Sequence, residues 1–200
     1  MPEHPIRRAR DDDALAVAEL LHETAIDMYE RFAGDRDSSI RILAAAFRRP
    51  GTGASREVVQ VVETDGAVAG AMAAFPATES ERRARRFLRL LLVRTPPWTW
   101  RASIRLHRKG GRLAPSPPPD SYYVDSLATA PAHRRGGIAR ALLAHAERDA
   151  RRLGLASVSL ETGQGNTPAR ALYEIAGFVV AEERTAQAGL PGFVAYVKPL

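Results

Sequence analysis

The stretch AHRRGGIARALLAHAERDARRLGLASVSLE, residues 132–161, runs from a loop of arginines and glycines into an amphipathic helix and then into a strand-like run. Ala139, Leu142, Leu143, Ala146, Ala150 and Leu153 recur at helical spacing, and Gly154 is placed to end the helix. The helix therefore begins near Gly137. Its first N–H groups have no intrahelical partner and carry the positive end of the helix dipole, so this end suits an anion. Glycines there let a ligand approach the backbone, and Arg134, Arg135 and Arg140 add positive charge. This is the construction of a phosphate cradle. Taken alone, it is equally a tight turn in an arginine-rich chain.

Working outward, the pattern predicts a strand over 121–129 (SYYVDSLAT), the glycine loop and helix, then a strand over 156–162 (ASVSLET). A helix over 167–176 (TPARALYEIA) and strands over 178–185 and 193–200 follow. Upstream, residues 6–10 (IRRAR) read as a short strand. Residues 11–32 read as one helix with an apolar face of Leu15, Ala18, Leu20, Leu21, Ala25 and Met28, and 39–49 as a shorter one. Two apolar runs between Glu57 and Pro76 flank Asp65-Gly66, a strong hairpin signal. Strands alternate with helices in the middle and pair at the ends, which predicts an α/β fold with a mixed sheet flanked by helices.

At 200 residues and 45% hydrophobic content, the chain can bury one sizeable core, so a single domain over 1–200 is expected. With no cysteine, disulfides, thiolate metal sites and cysteine nucleophiles are excluded. The chain has no P-loop G-x-x-x-x-G-K-[ST], no dinucleotide G-x-G-x-x-G after a strand and no G-x-S-x-G elbow. Its five histidines form no ligand spacing, so no metal is expected. No apolar run is long enough to span a membrane, and the N-terminus lacks an apolar signal region. A cytoplasmic location without a membrane partner is the expectation.

The net charge of +6 is local in origin. Eleven basic residues and no acidic one lie between Arg82 and Pro119; the remaining 18 lysines and arginines face 23 acidic residues, a net of −5. Within this segment Ala84, Phe87, Leu88, Leu91 and Leu92 predict an amphipathic basic helix. A second helix begun by Pro97 and a proline-rich connector follow. Residues from about 78 to 120 thus read as a helical basic insertion between the third and fourth strands.

The loop follows YYVDSLATAP and is answered by LETGQGNTPARALYEIAGF. Together these resemble the GNAT superfamily of N-acetyltransferases. Its pyrophosphate-binding loop, [QR]-x-x-G-x-[GA], is matched by Arg134, Arg135, Gly136, Gly137, Ile138 and Ala139. The later N-x-x-A-x-x-x-Y-E-x-x-G-F-like pattern is matched at Asn166, Ala169, Tyr173, Glu174, Gly177 and Phe178. The match spans Tyr122 to Phe178. Many members have glycine where Arg135 stands; because the loop binds mainly through backbone N–H groups, its geometry is expected to survive.

The resemblance implies acetyl-CoA as cosubstrate and direct acetyl transfer to a primary amine. The backbone of Leu127, Ala128 and Thr129 would pair with pantetheine, which requires the neighbouring strand to splay away; an ordinary buried parallel strand fits these residues equally well. The loop residues and Arg140 would hold the pyrophosphate, and Asn166 would hydrogen-bond the cofactor, or serve as a helix cap, or both. Tyr173 resembles the tyrosine that protonates the departing thiolate, although an inward-facing tyrosine is often a core residue. Asp125 stands near where some members place a base, with a strand-edge ion pair as its alternative; Glu161, Tyr122 and Tyr123 are weaker candidates. The expected partner is a small-molecule or peptide amine, and homodimerisation stays open. Arg101 and Arg105, one turn apart, could hold an acceptor's carboxylate or phosphate, or the segment could merely cap the sheet. The competing function class is a module whose basic segment contacts nucleic acid or an acidic partner, with a vestigial CoA site.

Overall fold

The computed structural model describes residues 4–187 and 191–200. Its seven strands are β1 (Ile6–Arg8), β2 (Val59–Thr64), β3 (Ala67–Pro76), β4 (Ser121–Thr129), β5 (Ser157–Gly163), β6 (Val179–Arg184) and β7 (Phe193–Pro199). They form one sheet in the order β1-β2-β3-β4-β5-β7-β6. Only β4 and β5 run parallel; every other neighbouring pair is antiparallel. The β2–β3 hairpin turns at Asp65 and Gly66, whose φ of 52° and 76° are what the tight two-residue turn needs.

Strand side chains alternate between the faces, and each face meets its own helices. Ala71 and Ala73 of β3 bury against α1 (Ala14–Thr24), α3 (Arg36–Phe47) and α4 (Ser80–Arg94) through Val17, Leu21, Leu43, Phe47 and Leu90. Met72 and Ala74, with Val124, Val158 and Leu160, bury against α6 (Ile138–Arg152) and α7 (Thr167–Ile175) through Leu142, Leu143, Ala146 and Tyr173. α5 (Trp100–Leu113) packs on α4 and on α2 (Ile26–Ala33). Two helices therefore lie between β3 and β4. Among the described residues no helix is long and apolar enough to cross a membrane.

Four local expectations differ from the structure, the first being Leu153, expected on the inner face of α6 and instead 47% exposed just past its end. The helix expected over 11–32 is broken: Thr24 turns its hydroxyl onto the Leu21 carbonyl at 2.7 Å, and Ala25 leaves the helical region with φ −155° before α2 begins. On α1, Leu15 is exposed, while Ala14 and Val17 are buried in its place. α4 is rotated from its expected face, with Arg83 and Leu90 buried and Ala84 exposed. Arg83 accounts for that rotation: it donates to Glu79 at 2.8 Å and to the Thr52 carbonyl at 3.0 Å, and it lies 5.0 Å above the Phe75 ring. A fully engaged guanidinium can go inside where the apolar count alone would not send it.

Candidate active site

The site starts from a fork in the sheet. β4 and β5 pair from Ser121↔Ser157 to Val124↔Leu160 and no further. Beyond that point β4 stays on β3 as far as Thr129↔Gly70, and β5 stays on β7 as far as Gly163↔Phe193. The two inner edges separate, leaving backbone groups that face a gap instead of each other. The splay required of the strand after Leu160 is therefore present.

A bulge sits at the fork. Ala73 pairs with Ser126 and Ala74 with Val124, so Asp125 is the extra residue on β4. Glu161 is the residue just beyond the last pair on β5. The two carboxylates thus stand on opposite arms at the point of divergence. Water reaches Asp125, yet the surrounding protein still removes enough solvent to push its carboxyl up to about 6, with Ser126 and Arg83 opposing. Glu161 is half-buried and rises to about 7, first by burial and then by the charge of Asp125, with Arg184 opposing. Asp125 ionises first, and its charge delays Glu161.

Two phenols, Tyr123 and Tyr29, stand near the pair, and a third lies in the adjoining core. Tyr123 is 8% exposed, packs edge-on against Phe75 at 5.7 Å, and has a hydroxyl pushed well above its ordinary range by burial and then by Glu161 and Asp125. Burial raises Tyr29 similarly, with Asp125 adding. Tyr173 lies in the core between the Phe178 and Tyr196 rings, at 6.1 and 5.6 Å, and burial pushes its hydroxyl up to about 12. All three stay protonated at neutral pH, so the fork combines proton donors with carboxylates that titrate near neutrality. Gly53 belongs to the loop over Asp125: a Cβ there would lie 3.3 Å from the Asp125 Oδ2. Tyr29, Arg83 and Gly53 carry no sequence signal for this site, because α2, α4 and the 51–55 loop reach it only through tertiary packing.

The cradle lies at the outer end of β4. Gly137 is the residue before α6, with φ 87°, and it leaves the first-turn N–H groups of α6 pointing outward. Gly70 lets that end of α6 sit tightly on the sheet, since a Cβ there would fall 2.5 Å from the Ile138 side chain and 3.2 Å from the Ala128 carbonyl. Thr129 Oγ1 is buried there without a hydrogen-bond partner among the described residues. Arg135 takes φ 66°, a left-handed conformation that explains why glycine suits this position. Arg134 is held by Glu23 of α1 at 2.7 Å, and His4 Nε2 meets the Gly136 carbonyl at 2.8 Å. A surface depression of about 470 Å³, lined by His4, Glu63, His133, Arg134 and Gly136 among others, adjoins the loop instead of the carboxylates.

Ile138 is buried at the start of α6, with Ala139 and Arg140 following in its first turn. Leu127 and Ala128 pair with Met72 and Ala71, so one edge of each residue's strand is used and the other faces the gap. Asn166 caps α7, accepting from the Ala169 N–H at 3.3 Å and donating to Thr162 Oγ1 at 3.1 Å. The free edge of β4 thus runs from the carboxylates at the root of the fork to the loop before α6.

The acetyltransferase (GNAT) family model matches residues 23–178. No curated protein sequence matches the chain. The structure of an N-acetyltransferase from Staphylococcus aureus Mu50 is similar with a TM-score of 0.76 at 20% identity, covering 97% of this chain and 100% of that one. A structure described as an acetyltransferase gives 0.70 at 23% identity, covering 98% of both chains. A ribosomal-protein-alanine N-acetyltransferase from Brucella melitensis gives 0.58 at 20%, covering 98% and 99%. At these identities the likenesses show a shared fold.

Proposed function

The chain belongs to the acetyltransferase (GNAT) family, and from that premise we propose that it moves an acetyl group from acetyl-CoA directly to the primary amine of a small molecule or peptide. The observation that carries the proposal is the fork beyond Val124↔Leu160, with an anion-ready helix end on one side and paired carboxylates at its root. The residues fit the cosubstrate. The outward N–H groups of Gly137, Ile138 and Ala139 and the nearby arginines suit a pyrophosphate, the free edge of Leu127–Thr129 suits an amide-bearing chain, and the orphaned Thr129 hydroxyl lacks a partner.

Bound there, acetyl-CoA supplies a thioester carbonyl, whose C–S bond is exchanged for a C–N bond to the amine. The amine arrives mostly as ammonium, with a pKa of ~10, and must lose a proton before it can attack. The Asp125 carboxylate, which ionises before Glu161, takes that proton. Tyr173 Oη holds a proton at neutral pH and gives it to the departing sulfur, and the proton that the nitrogen sheds as the amide forms restores the hydroxyl.

The test is release of free CoA thiol from acetyl-CoA across a panel of amines, followed by mass spectrometry of the product. Tyr173→Phe keeps the ring packing and should lower kcat by about 10²-fold with little change in acetyl-CoA affinity. No amine-dependent thiol release, with acetyl-CoA bound tightly, would refute the transfer reading; unchanged kcat would return Tyr173 to the core.

A further inference from the structure

The helix pair between β3 and β4 has an outer surface that the proposed transfer reaction does not use. On α4, Arg82, Arg86, Arg89 and Val93 fall on one exposed face, flanked by the buried Arg83 and Leu90 and opposite the buried Leu91. On α5, Arg101, Arg105, Arg108 and Lys109 fall on an exposed face opposite the buried Ser103. Arg82 pairs with Glu79, but Arg86, Arg89, Arg94, Arg101, Arg105, Arg108 and Lys109 form no salt bridge with a described residue. Where the two helices join, the charge gives way to exposed apolar side chains: Val93 is 75% exposed, Trp98 82% and Trp100 39%.

Side chains of this size are rarely left in water beside one another on a monomer. The composition selects among partners. Nucleic acid would use the arginines and could stack on an indole, but it offers nothing to the aliphatic Val93. A protein interface has an apolar centre depleted in charge, whereas here the apolar side chains occupy a tip flanked by cations. An anionic bilayer matches both parts: acyl-chain boundary for Val93 and the indoles, headgroup phosphates for the arginines. We propose that the α4–α5 tip docks the protein peripherally on anionic membrane surfaces, with Trp98 inserted at the headgroup level and Arg89, Arg94 and Arg101 on the phosphates. This revises the expectation of no membrane partner and requires no spanning helix. It is independent of the acetyl-transfer reading.

The experiment compares vesicles of pure phosphatidylcholine with vesicles containing equal parts phosphatidylglycerol, by co-sedimentation and tryptophan emission. The protein should bind the anionic vesicles at least about tenfold more tightly, with a blue-shifted emission that brominated acyl chains quench and with binding weakened by salt. Arg89→Gln/Arg94→Gln/Arg101→Gln should lose about 10²-fold in that affinity, near fivefold per charge. Trp98→Ala should lose most of the quenching. Both variants should keep the wild-type circular dichroism and acetyl-CoA affinity, which separates docking from misfolding. Equal or absent binding to the two vesicle types would overturn the proposal. So would tighter binding to single-stranded RNA than to anionic vesicles, or burial of Trp98 in a concentration-dependent dimer.

Discussion

Asp125 and Glu161 are the titratable pair at the fork, and their pH behaviour follows from the causes of their shifts. Both carboxyls ionise above their ordinary range, chiefly because burial disfavours the charge. The rate should therefore fall as pH drops through about 6 to 7, and the acidic limb of kcat/KM belongs to the pair. Asp125→Asn should lower the rate by about 10²-fold or more and remove part of that limb. It should also lower the Glu161 pKa, readable by carboxyl NMR, because the Asp125 charge helps to raise it. Stability has the opposite sign from a salt-bridged acid. A carboxyl with a raised folded pKa binds more protons folded than unfolded, so stability falls as pH rises from about 4.5 to about 7. Glu161→Gln should accordingly raise Tm at pH 8 by at least ~2 °C, with the gain vanishing near pH 4. A lowered Tm at pH 8 would mean that the charge is compensated in the fold.

Among the elements, α6 and its loop were the most legible in sequence, because helical spacing from Ala139 to Ala150, two glycines and an arginine cluster are local signals. The Asp65-Gly66 hairpin was equally plain. What stayed hidden was set by contacts between distant segments: the break at Ala25, the turning inward of Arg83, and Tyr29 and Gly53 at Asp125. Glu161 was visible only as a weaker candidate, since its place opposite Asp125 depends on parallel register. The bulge that makes Asp125 the extra residue leaves no mark on an otherwise regular strand. Gly70 shows how one unassuming residue positions an element. A methyl group there must displace Ile138 or the Ala128 carbonyl, so Gly70→Ala should destabilise the protein by about 1–3 kcal/mol in chemical denaturation. Because Ile138 begins α6, acetyl-CoA affinity should fall as well. Unchanged affinity in a destabilised variant would uncouple the strand contact from the cradle.

Across the whole molecule, the antiparallel outer strands act as two stiff arms hinged at the single parallel pair. β3 holds β4 as far as Gly70↔Thr129, and β7 holds β5 along its full length, so the gap leaves neither strand unsupported. The paired segments of this architecture were foreseeable from strand order, but the divergence beyond Val124 was not, because apolar Leu127 and Ala128 suit a buried strand as well as a free edge. The central claim is that this free edge and the first turn of α6 together hold acetyl-CoA. Hydrogen–deuterium exchange with and without acetyl-CoA tests it directly. Protection should appear in 125–129 and 136–140, with no change at the 65–66 hairpin turn. Unaltered exchange in 125–129 and 136–140 when the cosubstrate is bound, or protection confined to another part of the sheet, would contradict it.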